Sequence, residues 1–157
     1  MKMMKKLLCA ALMLAVLTLC ACGATTAKTV DMTAVMPVMM EYTYAKDEML
    51  MLTEDDLLEL YGIEAADVKQ FAAAIGLNSL KADEIVLLEA VDAEAAKRVK
   101  EMLDNRYQSK LNETRNYLPE EFAKIEKCKV SMEGNFVSLI VVSDVEGAEA
   151  AYKAAFK

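Results

Sequence analysis

CKVSMEGNFVSLIVV, residues 128–142, is the stretch on which the fold turns. Cys128, Val130 and Met132 alternate with Lys129, Ser131 and Glu133, the period of two that marks a strand with one wet face. Gly134-Asn135 is a two-residue hairpin turn. Phe136 to Val142 then pairs back as an inner strand, being apolar on nearly every position. A hairpin of this kind needs further strands beside it and helices above it.

Both can be read on either side. Downstream, Ser143 with Glu146 forms a capping box for a last helix, whose Val145, Ala148, Tyr152 and Phe156 recur at inward-facing spacing. Upstream, Pro119 opens a helical turn that runs to about Lys127. Before it, Asp92 caps a long helix from Ala93 to Tyr117. Its buried stripe is Ala96, Val99, Leu103, Tyr107 and Leu111, while Lys97, Arg98, Lys100 and Glu101 face water. Ile85 to Val91, IVLLEAV, is a second inner strand, aliphatic on both faces with one acid.

Asp67 to Leu77 fits two readings. Val68, Phe71, Ala72 and Ile75 lie at helical spacing with Gly76 as a stop, and the same run is also a weakly alternating strand. Thr53 with Asp56 resembles a capping box, Asp standing in for the usual Glu, and it opens a short helix that Tyr61-Gly62 closes. Met32, Met36, Met39, Met40 and Thr43 place an amphipathic helix over about Ala34 to Tyr44, capped by Asp31 or Thr33, with Pro37 near its first turn. The expected architecture is α+β: a mostly antiparallel sheet of three or four strands, with the long helix and the C-terminal helix packed on one face.

Candidate chemistry is sparse. The chain has no histidine and no tryptophan, which excludes histidine-based triads, histidine–zinc sites and a histidine pH switch. Asp83-Glu84 and Glu120-Glu121 are adjacent acids that could supply an acid–base pair, yet both pairs stand at element starts where capping accounts for them. Glu54-Asp55-Asp56 could hold a cation or simply complement a helix dipole. Met36, Met39 and Met40 could bind Cu(I) through soft sulfur, or fill a core. Neither a glycine-rich phosphate loop nor an internal repeat is present.

The N-terminus carries an address. Lys2, Lys5 and Lys6 precede an apolar run from Leu7 to Leu19, 13 residues long, the pattern of a secretory signal. Leu19-Cys20-Ala21-Cys22-Gly23 resembles a bacterial lipobox, with Leu19 at −3, Ala21 at −1 and Cys22 as the residue that takes a diacylglycerol. An uncleaved membrane anchor is the alternative, since the apolar stretch to Ala27 approaches a span of about 20 residues. On the lipobox reading, residues 1–21 are a signal peptide, 22–30 are the lipidated cysteine and a short tether, and 31–157 form one domain. The full chain has a net charge of −7, and the removed segment holds three lysines and no acids, so the mature protein stands at −10. Such a domain has no electrostatic route to nucleic acid and is repelled by anionic headgroups. Cys9 and Cys20 leave with the signal and Cys22 is acylated, so Cys128 is left without an intrachain partner and reads as a small core side chain.

The order of elements then meets a set of short signatures: Leu60-Tyr61-Gly62-Ile63, Ala82-Asp83-Glu84-Ile85, a long helix with Arg106, Tyr117-Leu118-Pro119-Glu120, and Gly134-Asn135-Phe136-Val137. Together they resemble the bacterial family called domain of unknown function 4358, typical of lipoproteins in Gram-positive gut bacteria. The resemblance extends over about residues 30–157. It implies a fold and an address but no activity, no cofactor and no site residues, and it tips Asp67 to Leu77 towards a strand. The functional expectation is a lipoprotein on the outer face of the cytoplasmic membrane, anchored through Cys22 and binding an envelope protein or ligand without catalysis. The alternatives are a carboxylate-dependent envelope hydrolase and a methionine-rich Cu(I)-binding protein.

Overall fold

The computed structural model describes residues 29–157; the expected signal segment and Cys22 lie outside them. The architecture is α+β. In chain order the elements are α1 (Met32–Met40), β1 (Met49–Met51), α2 (Glu54–Tyr61), β2 (Val68–Gly76), β3 (Glu84–Ala90), α3 (Ala93–Thr114), α4 (Pro119–Ile125), β4 (Val130–Glu133), β5 (Phe136–Val141) and α5 (Val145–Ala154), with short 3-10 turns before β1 and β2. The strands form one antiparallel sheet in the order β1-β2-β3-β5-β4.

This corrects the expected sheet in two respects. It has five strands instead of three or four, because β1 is only three residues long and too short to leave a periodic signal. Helices also cover both faces instead of one. Ala95, Ala96, Val99 and Leu103 of α3 pack with Val86, Leu88, Val137 and Leu139. On the opposite face Met32, Met36 and Met39 of α1, with Ala148 and Tyr152 of α5, pack on Ala72, Ala74, Ile85, Leu87 and Ile140. Two helical layers follow from the strands themselves. All seven residues of β3 are buried, and a strand aliphatic on both sides cannot leave either face to water.

β2 settles the ambiguous run as a strand, paired along its length with β3. Ala72, Ala73 and Ala74 are almost fully buried, and the low profile of Ala72 and Ala74 gives room to the long methionines of α1. Pairing between two neighbours decides this segment, not the weak strand propensity of alanine. The hairpin turn falls where the sequence places it: Glu133 pairs with Phe136, and Gly134 adopts φ 59°.

Caps fix the helix ends. Thr53 and Asp56 form the reciprocal capping box, and Gly62 closes α2 at φ 72°. Asp92 accepts from the Glu94 and Ala95 N–H groups at the start of α3. Asp31 caps α1, whose Pro37 lies within the helix instead of its first turn. The last helix also differs from expectation: Asp144, one residue beyond Ser143, is the cap and accepts from the Gly147 N–H at 3.0 Å.

Candidate functional site

The acids singled out in the sequence stand at one end of the sheet, and the fold separates the adjacent pairs. Glu84 opens β3 and turns beneath α3, fully buried. Its carboxylate accepts two hydrogen bonds from Arg106, Nε at 3.0 Å and Nη2 at 2.8 Å, and one from Lys110 Nζ at 2.8 Å. Arg106 and Lys110 are one helical turn apart on α3, so a single helix face presents both cations. Burial alone would raise the Glu84 carboxyl. The Arg106 and Lys110 charges outweigh it and hold the group below the usual carboxylate range. The guanidinium of Arg106 also lies 5.8 Å from the centre of the Tyr61 ring. The Tyr61 hydroxyl is buried without a hydrogen-bond partner among the described residues, and burial followed by the nearby Glu84 charge raises it far above its ordinary value.

Asp83 is brought to a different acid from its sequence neighbour. Lys124 of α4 bridges Glu121 at 2.6 Å and Asp83 at 3.4 Å. Glu121 further accepts from the Ala82 N–H at 2.8 Å and from Lys81 Nζ at 3.2 Å. Burial pushes the Glu121 carboxyl up, but the Lys124 and Ala82 hydrogen bonds bring it below its ordinary value. These contacts staple the loop between β2 and β3 to α4. Glu120 is exposed and takes no part. A general acid at neutral pH needs a carboxyl raised towards 7, and here Glu84 and Glu121 move the other way. The arrangement does structural work at the sheet end.

The other sequence candidates are likewise engaged. Asp56 is spent in the capping box of α2, and no cluster of three or more acidic, histidine or cysteine groups suited to a metal occurs among the described residues. Met36 and Met39 are buried at the helix–sheet contact, and Met40 is partly buried beside them. Cys128 is buried, its thiol donating to the Lys124 carbonyl at 3.4 Å, and burial pushes it up to about 11.

A hollow that sequence reading missed lies between the β4–β5 hairpin and α5, with a volume of about 290 Å³. Ser131 and Ser138 are paired across the two strands and form part of its floor. Two small side chains opposite each other, at the sheet margin where α5 rides over β5, leave the space unfilled. Phe136, Tyr152 and Phe156 form an aromatic wall, with edge-to-face ring contacts at 4.9 and 5.1 Å. The Tyr152 hydroxyl is buried and closes no hydrogen bond among the described residues. Burial raises it to about 12, partly offset by the neighbouring Ser138. Lys129, Glu133, Glu149 and Lys153 also line the hollow, two charges of each sign. The signal was present in part: the wet face of residues 129, 131 and 133 is the face that lines this hollow, but nothing local announces that α5 overhangs it.

A second space, of about 470 Å³, lies where α4 meets the start of α5 and is walled by Glu120, Lys124, Lys127, Asp144 and Glu146. It is more open and more polar, without an aromatic wall.

Comparison with known proteins gives a family and no function. A family model described as "Domain of unknown function (DUF4358)" matches residues 42–142. No curated protein and no solved structure matches the chain. None of the described helices is long and apolar enough to cross a membrane.

Proposed function

The chain belongs to the family described as a domain of unknown function (DUF4358), and on that premise we propose that it is a lipid-anchored extracytoplasmic protein acting as a non-enzymatic binding module. The binding site in this reading is the hollow between the β4–β5 hairpin and α5. One observation carries it: the hollow has an aromatic wall, a polar floor and charges of both signs, whereas the buried acids that could have served catalysis are tied to cations. A concave site with apolar walls and a few convergent polar groups is the ordinary form of a ligand pocket. β4 is moreover an edge strand, so unpaired backbone groups lie beside the hollow and could extend the contact to a polypeptide partner.

The anchor in this reading is the diacylglycerol on Cys22, which would hold the domain at the outer face of the cytoplasmic membrane. A photocrosslinking side chain placed at Ser131 in intact cells should yield a discrete adduct, and the same side chain at exposed Tyr117 should not. Adducts at Tyr117 and none at Ser131 would move the site elsewhere. The address has its own check. Cys22→Ala should abolish metabolic labelling with fatty acid and leave the precursor uncleaved, and labelling that persisted would refute the assignment.

A further inference from the structure

We infer that the outer face of α1, with the groove it makes against α5, rests on the membrane surface; the inference builds on the lipid-anchor reading above. α1 is unusual for a helix with a side to solvent. Met32, Val35, Met36 and Met39 are buried, and the exposed positions between Met32 and Met40 are Thr33, Ala34, Pro37 and Val38. None of these carries a charge, and Val38 is 51 % exposed. A surface helix ordinarily sets charged side chains opposite its apolar stripe, and a helix uncharged all round is ordinarily covered. Charge is not scarce in this chain, since 27 % of its residues are charged. Its omission from α1 is local.

The apolar surface continues onto the next helix. Ala151 of α5 and Ala155, the residue that ends it, face Ala34, Val35 and Val38 across a shallow groove of about 360 Å³. Thr29, Val30 and Asp31 line the same groove, the Asp31 carboxylate tied to the Thr33 and Ala34 N–H groups of the first turn of α1, and Thr29 stands seven residues after Cys22. Seven residues of chain span at most about 25 Å even when fully extended, less than the diameter of a domain this size, whose radius of gyration is about 14 Å. An acyl chain on Cys22 therefore holds the groove within less than one molecular diameter of the bilayer. The net charge then selects the orientation. Anionic headgroups repel the acidic faces, so the face that approaches is the least charged one, whose one lining carboxylate, Asp31, is held at the N-terminus of α1, and its apolar atoms gain by leaving water.

The test is a depth measurement on the full chain, processed by a bacterial host and reconstituted in phosphatidylethanolamine–phosphatidylglycerol vesicles. An environment-sensitive fluorophore is attached to Ala34→Cys, to Val38→Cys, or to Tyr117→Cys as a control that is 83 % exposed beyond the opposite helical layer. Cys128 is buried and stays unlabelled. Fluorescence at positions 34 and 38 should be blue-shifted and lost on introducing brominated acyl chains, with no such loss at 117. Adding Val38→Glu should abolish the loss at 34 without changing the melting temperature, because that side chain points outward. Equal emission at 38 and 117 in protein that stays on the vesicles overturns the membrane contact and leaves the anchor standing. Protein that fails to stay on the vesicles overturns the anchor reading itself. A blue shift at 38 that grows with protein density, without quenching by the lipid, assigns the face to a second copy and also overturns the inference.

Discussion

Replacing Arg106 by methionine should be the most costly single change at the sheet end. Glu84 has no exposed surface and takes three charge-assisted hydrogen bonds, two of them from Arg106. The variant leaves a buried carboxylate with Lys110 alone, and removing one partner of a buried pair costs about 3–5 kcal/mol. For a domain of this size that is a fall in Tm of roughly 10–20 °C. The chain has no tryptophan, so far-UV circular dichroism in urea is the suitable probe, and the loss should appear in the midpoint with the slope m unchanged. The pH dependence follows from the sign of the shift. The Glu84 carboxyl lies lower in the folded than in the unfolded chain, so its contribution is present above the unfolded value of about 4.3 and is lost as pH falls through the folded value. The gap between wild type and Arg106→Met should therefore be widest above the unfolded value and narrow as the solution is acidified below it. Replacing Glu84, Arg106 and Lys110 together by leucine and methionines should recover most of the stability. A loss below about 1 kcal/mol, typical of an exposed pair, or a gap that ignored pH, would refute this account.

Other outcomes follow from single contacts. The Cys128 thiol should resist aromatic disulfides at pH 8 in the folded protein and react at once in denaturant, because burial raises it to about 11. Gly147→Ala should destabilise by about 1 kcal/mol despite the better helix propensity of alanine. The added methyl would stand 2.8 Å from the Tyr42 ring and against the Asp144 carboxylate that caps α5, and thermal melts would register the loss. Met36→Leu with Met39→Leu should change stability by less than about 1.5 kcal/mol per site, as volume-conserving core swaps do. Cu(I) titration of that variant should match wild type, since both sulfurs are packed against the sheet.

The fold was legible where burial imposes a period. The inner strands, the long helix, the hairpin turn and the α2 capping box all announce themselves, because alternation, helical stripes and cap chemistry are local consequences of where each side chain must go. Two features were hidden for a physical reason. β1 is held by its register with β2, which three residues cannot signal. The second helical layer was hidden because a strand apolar on both faces says that both must be covered without saying by what. Residues 85–91 in fact required two layers, and the methionines of α1 were the matching half. Ala72 and Ala74 lower the strand signal of β2 for the same reason that they serve the fold: they make room for those methionines.

The candidate chemistry was legible as residue types and illegible as geometry. Asp83 and Glu84 are neighbours in the chain and part company in the fold, one joined to Glu121 through Lys124, the other to Arg106 and Lys110. Asp83 and Glu84 are balanced by cations brought from α4 and α3, 22 to 41 positions further along the chain. No local pattern marks such a partnership. The hollow beside β4 has a different character: its floor and wall are serines and aromatic rings, and the ion pair among its lining side chains is the surface pair Lys153–Glu149 at 3.5 Å. The fold neutralises the buried acids at one end of its sheet and keeps an unfilled, aromatic-walled space at the sheet margin, and it is on that contrast that the proposed binding role rests.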